Sequence, residues 1–263
     1  MHAPALPLIP TDLLLLAYRN GIFPMSDSRD DPEVFWVEPR RRAILPLDGF
    51  RLSKSLARTI RRERFRVTCN AAFERVIEAC SQPRPDHPES WISGRIMASY
   101  RALHEAGHAH SVECWQGDDL VGGLYGVGFD RVFCGESMFS RVPDASKVAL
   151  AWLVALMRRA GLVLLDCQFM TDHLRSMGAA ELAQADYRKL VEGAHGQPKL
   201  SLGMAWRSYA SGRAAAAGEG AGAGAVVGTA EGVAVGLAEG SALGDAGPSS
   251  PGKRIVQSLT QTS

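Results

Sequence analysis

Long hydrophobic runs are missing from this chain of 263 residues, and no stretch approaches the roughly 20 apolar residues of a membrane span. The leucines Leu13 to Leu16 follow Asp12 and have no basic segment before them. They read as a helix begun at Thr11 or Asp12 and stopped at Gly21, not as a secretory signal, and the expected compartment is the cytoplasm. Cysteine is scarce: Cys69, Cys80, Cys114, Cys134 and Cys167 sit singly in apolar runs without a CxxC pair, which excludes a disulfide framework or a thiolate metal site and suits a reducing compartment. Metal-ligand spacing is absent too. His104 and His108 are four apart, but Gly107 breaks the helix between them and no acid stands there as in HExxH, while His87 is alone in the loop Pro83 to Pro88. Neither metal nor cofactor is expected. Net charge is almost nil at +1, so the total does not announce nucleic acid and any basic surface has to be local.

Such a local surface exists. From Glu38 to Arg66 ten cations face three acids, 10 − 3 = +7 in 29 residues. Within it a helix over Ser53 to Glu63 places Lys54, Arg58, Arg61 and Arg62 on overlapping turns. A solvated helix face is the usual origin of a charge run; an excess this one-sided favours contact with a phosphate backbone. The same region holds Phe35 and Trp36 between turn prolines, and burial statistics favour Trp36 as a core residue.

Further along, Asn70 reads as the cap of a helix Ala71 to Cys80, and Ser93 as the cap of one ending at Ala106. A hairpin over His110 to Gln116 and Asp119 to Gly128 turns at Gly117–Asp118. Gly122, Gly123 and Gly126 within it demand the close approach of a backbone or a ligand, which suggests a groove. An apolar helix Ala145 to Ala160 follows. From Gly218 glycine recurs every fourth residue, at 220 to 244, among Ala, Val, Glu and Ser, and such a segment cannot bury a core. The expected organisation is a small N-terminal domain at 1–65, a larger domain at 66–209 and a disordered tail at 210–263.

Two short strands carry polar groups where structure alone would ask for Val or Ile: Val132 to Arg141 holds Glu136 and Ser137, and Leu164 to Gln168 holds Asp166 and Gln168. Strand alternation points Asp166 and Gln168 the same way, so the carboxylate can accept a hydrogen bond from the Gln168 amide and polarise its carbonyl. A polar edge strand satisfied by neighbouring loops explains the spacing equally well.

The order of the motifs says more. FCGESMFSR at Phe133, SKVALAWL at Ser146 and LLDCQ at Leu164 closely resemble the leucyl/phenylalanyl-tRNA–protein transferase family. GIFP at Gly21, HEAGHAHSVE at His104 and VGGLYGV at Val121 extend the likeness, collinear from about Leu13 to Tyr187. The resemblance implies an α+β fold with a GNAT-type acyltransferase domain, a mainly antiparallel sheet flanked by helices behind a small N-terminal domain. It implies transfer of Leu, Phe or Met from aminoacyl-tRNA to proteins beginning with Arg or Lys, tagging them for proteolysis, by a monomer. Carried over by position, Asp166 orients and polarises Gln168, which holds and helps deprotonate the incoming amine, and Glu136 holds the donor's ribose or amino group. Trp36 and Trp91 contact substrate, Leu124, Phe133, Met138 and Leu153 form the side-chain pocket, and Lys54, Arg58, Arg61 and Arg62 dock the tRNA. The carboxylates that can receive the acceptor's basic side chain are Glu136, Asp166 and Asp172. Two other readings fit parts of the chain: a CoA-dependent N-acetyltransferase, although the helix start SRVPDASK lacks a glycine phosphate loop, and a tRNA-binding protein without catalysis.

Overall fold

The structure is a computed structural model and describes residues 7–83, 89–211 and 250–261. His87 and the glycine-periodic segment 212–249 lie outside the described residues. In chain order the elements are α1 (Thr11–Arg19), β1 (Phe23–Met25), β2 (Phe35–Val37), β3 (Arg41–Leu45), α2 (Lys54–Arg61), β4 (Arg66–Cys69), α3 (Phe73–Cys80) and α4 (Gly94–Glu105). There follow β5 (Ala109–Gln116), β6 (Asp119–Phe129), β7 (Val132–Ser140), α5 (Ala145–Ala160), β8 (Leu164–Gln168), α6 (Asp172–Ser176), β9 (Ala180–Ala183), α7 (Gln184–Gly193), α8 (Leu202–Ala210) and α9 (Pro251–Thr260).

β1 and β2 make a two-stranded ribbon beside α1, and the other strands form one sheet in the order β4-β5-β6-β7-β8-β3-β9. Its pairings are antiparallel except β7 with β8, which run parallel and are joined through α5. Side chains alternate across the sheet, so two cores form. Leu124, Phe133 and Leu165 lie in the core shared with α2, α5, α8 and α9. Tyr125, Val127 and Cys134 lie in the core shared with α1, α3, α4 and α7. The fold is thus mixed α+β, a sheet flanked by helices behind a small N-terminal domain.

α5 is buried almost all round, as its alanines and leucines require, and Gly161 ends it at φ +78°, a left-handed backbone that a side chain resists. Ser93 caps α4 as expected, and Ser53 caps α2, each accepting a main-chain N–H. Asn70 does not cap α3. It sits at φ +59° and bonds to Ser111 N–H and His110, while the main-chain N–H groups of Ala71 and Ala72 approach the Glu113 carboxylate of β5 at 3.4 Å.

Three expectations change. β3 lies inside the main sheet between β8 and β9, so the sheet takes in residues on both sides of position 65. Residues 250–261 are not tail: α9 buries Ile255, Val256 and Leu259, one face of a helix begun by proline, against α2, α5 and α8. The glycines of β6 open no groove. A Cβ on Gly122 would stand 2.5 Å from that of Ala145, and one on Gly126 would stand 2.2 Å from the Cys134 carbonyl. They admit α5 and the neighbouring strand instead of a ligand. β9 and α8 had no forecast from the sequence.

Candidate active site

The two polar strands meet where the sheet comes apart. β7 and β8 pair from Val132/Leu164 to Cys134/Asp166, and there the pairing ends. Beyond that point residues 135–141 and 167–169 line a cavity of about 780 Å³, completed by Phe23 and Met25 of the small domain, Trp91 and Leu150.

Glu136 lies among its lining residues and is only 8% exposed. Its Oε1 accepts hydrogen bonds from the Tyr18 hydroxyl (2.8 Å) and the Gln168 side-chain amide (2.8 Å), and its Oε2 accepts one from the Tyr100 hydroxyl (3.2 Å). The two tyrosine hydroxyls also hydrogen-bond to each other. An ionised Glu136 leaves two hydroxyl protons for these three contacts, and a protonated one supplies the third. Burial pushes the Glu136 carboxyl up to about 7, with the Asp166 charge acting in the same sense, against the hydrogen bonds from Tyr18, Gln168 and Tyr100. A carboxyl so placed exchanges a proton near neutral pH. Burial also holds both tyrosines well above their ordinary range, so they remain hydroxyl donors.

Asp166 is fully buried and meets Arg42 at two points: Oδ1 accepts from Nε at 2.8 Å and Oδ2 from Nη2 at 2.5 Å. Oδ2 also accepts from the Tyr187 hydroxyl (3.1 Å). The Arg42 guanidinium lies between the rings of Phe23 and Tyr187, 4.8 and 4.6 Å from their centroids, and donates to the Gly21 carbonyl. One arginine thus ties the GIFP segment to the polar strand.

The expected hydrogen bond from the Gln168 amide to Asp166 is not made. Gln168 closes β8 at φ +61°, where strand alternation no longer holds. Its main-chain N–H reaches Asp166 Oδ1 at 2.8 Å while its side-chain amide reaches Glu136. The Gln168 side-chain carbonyl oxygen accepts no hydrogen bond from the described residues. A non-glycine residue held at such an angle costs about 1–3 kcal/mol, and such strain clusters at working sites.

Of the residues singled out from sequence, Glu136, Gln168, Met138 and Trp91 line the cavity together. Asp166 stands one residue behind its wall. Leu124, Phe133 and Leu153 belong to the core on the α5 side; Met138 packs against that core and is the cross-strand partner of Leu124. Trp36 is not a core residue. It is 42% exposed on a ribbon too thin to bury both faces, and it does not line the cavity. Lys54, Arg58 and Arg61 on α2 and Arg62 just past its end are exposed. Arg42 leaves the basic surface for the interior, which lowers its excess from +7 to +6.

Sequence reasoning missed Tyr18, Tyr100 and Arg42. The signal for the tyrosines was available, since a buried hydroxyl on a helix face needs a partner. Among the described residues no cluster of His, Cys, Asp and Glu is placed to hold a metal, and no helix is long and apolar enough to cross a membrane.

A family model described as leucyl/phenylalanyl-tRNA protein transferase matches residues 44–192, and one described as the N-terminal domain of that family matches residues 9–40. The chain is 62% identical, over 97% of its length and 97% of the relative's, to a Novosphingobium aromaticivorans protein named leucyl/phenylalanyl-tRNA–protein transferase. Proteins of the same name are 58% identical in Zymomonas mobilis, over 71% of this chain and 70% of that one, and 52% identical in Ruegeria sp., over 72% and 89%.

Proposed function

The chain belongs to the leucyl/phenylalanyl-tRNA–protein transferase family, and from that premise we propose that the cavity between β7 and β8 moves Leu, Phe or Met from the 3′ ester of its tRNA to the α-amine of proteins beginning with Arg or Lys. The observation that carries this reading is the Gln168–Glu136 pair lining that cavity.

In the transfer a C–N bond forms and the ester C–O bond breaks, while the amine gives up one proton and the ribose 3′-oxygen gains one. The ester is already activated, so positioning and proton traffic supply most of the catalysis. Gln168 presents its free carbonyl oxygen to the amine. Glu136, poised near neutral pH, takes the amine's proton and returns it to the leaving oxygen. An α-amine titrates near pH 8, so a weak base suffices. Asp166 is a positioning residue: it fixes Gln168 through the main-chain N–H and is itself held by Arg42. With Asp166 so occupied, Asp172, exposed at the start of α6 beside the cavity residue Thr171, is the carboxylate left for the acceptor's basic side chain.

Met138 and Leu150 form the apolar wall that the donor side chain meets, with Leu124, Phe133 and Leu153 behind it. The flexible thioether of Met138 can yield to chains of different shape. Trp91 lines the same space, and Trp36, exposed outside it, offers a flat surface to the terminal adenosine. Lys54, Arg58, Arg61 and Arg62 receive the phosphates.

Within this reading the sheet is of the GNAT type, supported by its one parallel pair, which parts around the cavity. Coenzyme A is a poor donor here, because the first N–H groups of α5 are engaged within their own loop, Ala145 with the Val142 carbonyl and Ser146 with Ser140 Oγ. The enzyme works in the cytoplasm, as a monomer, in N-degron tagging for proteolysis.

The test is transfer of labelled leucine from leucyl-tRNA to peptides beginning with Arg, Lys or Ala. Label on the Arg and Lys peptides, lost in Gln168→Ala, supports the reading. Intact tRNA binding with no label on any peptide contradicts it and favours a binding protein without catalysis.

A further inference from the structure

We infer that α9 is part of the surface that receives the donor tRNA's phosphate backbone, which rests on the functional reading above. α9 packs against the very helix that carries the basic residues: Ile255, Val256 and Leu259 share a core with Leu56, Ala57 and Ile60 of α2. The fit at its start is close. A Cβ on Gly252 would stand 2.2 Å from the Ile60 carbonyl oxygen and 3.0 Å from Glu63 Cγ.

This contact sets the start of α9 against the one acid of the basic stretch. Glu63 is the one acid between Asp48 and Glu74, a stretch that holds Arg51, Lys54, Arg58, Arg61, Arg62, Arg64 and Arg66. Its Oε1 accepts the Gly252 main-chain N–H at 2.9 Å, so the positive end of α9 rests on the only carboxylate among those cations. The next residue, Lys253, is exposed, and α9 carries no acid. Lys54, Arg58, Arg61, Arg62 and Lys253 form no ion pair among the described residues. Along the seam runs a cleft of about 250 Å³ whose charged lining is Glu63, Arg64 and Arg66. A cationic surface that continues from α2 across the seam suits a polyanionic backbone, which it positions without reading its sequence.

The experiment measures binding of leucyl-tRNA by the full chain across about 50 to 200 mM salt. Lys253→Ala should weaken binding several-fold and make the slope of log affinity against log salt shallower by about 1, with a larger loss for Lys253→Glu. Both should unfold at the wild-type temperature. Gly252→Ala, which forces α9 from its seat, should lower the unfolding temperature and the tRNA affinity together. Wild-type affinity and slope in Lys253→Glu, alongside a loss in Arg58→Glu, overturn this inference and leave the functional reading standing. No loss in either variant, with no leucine transferred, overturns both.

Discussion

Arg42 and Asp166 lie 124 positions apart and form a two-point ion pair in which neither side chain is exposed to solvent. The pair closes the small domain's Gly21 and Phe23 onto the strand whose last residue, Gln168, faces the cavity. Two charges out of water are tolerated because every partner is in place: a second carboxylate oxygen, a tyrosine hydroxyl, a main-chain carbonyl and two aromatic faces.

Removing one charge alone should therefore be far worse than removing both. Arg42→Met is expected to cost about 3–5 kcal/mol in urea unfolding, since it strands a buried carboxylate. Arg42→Met combined with Asp166→Leu should recover much of that loss and still transfer no leucine. Near wild-type stability in the single variant would contradict the buried pair.

The Glu136 carboxyl supplies a pH signature. In the unfolded chain it titrates near 4.5 and in the fold at about 7, so between those values the folded state binds the extra proton. The penalty of ionising it is absent below 4.5 and complete above 7, and stability falls as pH rises through that window by about 3 kcal/mol. Urea unfolding of Glu136→Gln should lack this component; parallel pH curves for wild type and variant speak against a raised carboxyl.

Two glycines should answer differently to the same change. Gly126→Ala places a methyl against the Cys134 carbonyl at the irregular step of β6, so the strands must part, at about 1–3 kcal/mol. Gly94→Ala, at the start of α4 with open space around it, should be neutral or stabilising by up to about 1 kcal/mol. Thermal unfolding of the two variants reads the contrast directly.

Trp36 offers a test of the exposed ribbon. Trp36→Ala should change stability by no more than about 0.5 kcal/mol, as expected of a surface position. If a base stacks there, leucyl-tRNA binding weakens by about 1–3 kcal/mol. Unchanged affinity would remove Trp36 from the donor site.

How much of this was legible in the sequence depends on how far away each partner lies. α2, α4 and α5 were readable because a capping serine at Ser93, a terminal glycine and the helical period are local signals, and so was the β5–β6 hairpin with its turn at Gly117–Asp118. Arg42 was not, because in the run Arg40, Arg41, Arg42 nothing local marks the third arginine as the one that turns inward. Tyr18 and Tyr100 fitted an apolar helix face, and only the distant Glu136 shows that their hydroxyls are committed. α9 stands behind a glycine-periodic segment that disguised a short amphipathic helix as tail. Gln168 was named for the right strand with the wrong partner, because a left-handed backbone at the strand's end cancels the alternation rule.

The most direct measurement is the single-turnover rate of leucine transfer to an Arg-terminated peptide, with tRNA and peptide saturating, in wild type and Glu136→Gln. With Glu136 as proton acceptor the variant should be slower by about 10²- to 10⁴-fold while binding leucyl-tRNA with little change. A wild-type rate in Glu136→Gln would contradict the account and move the chemistry away from the Gln168–Glu136 pair.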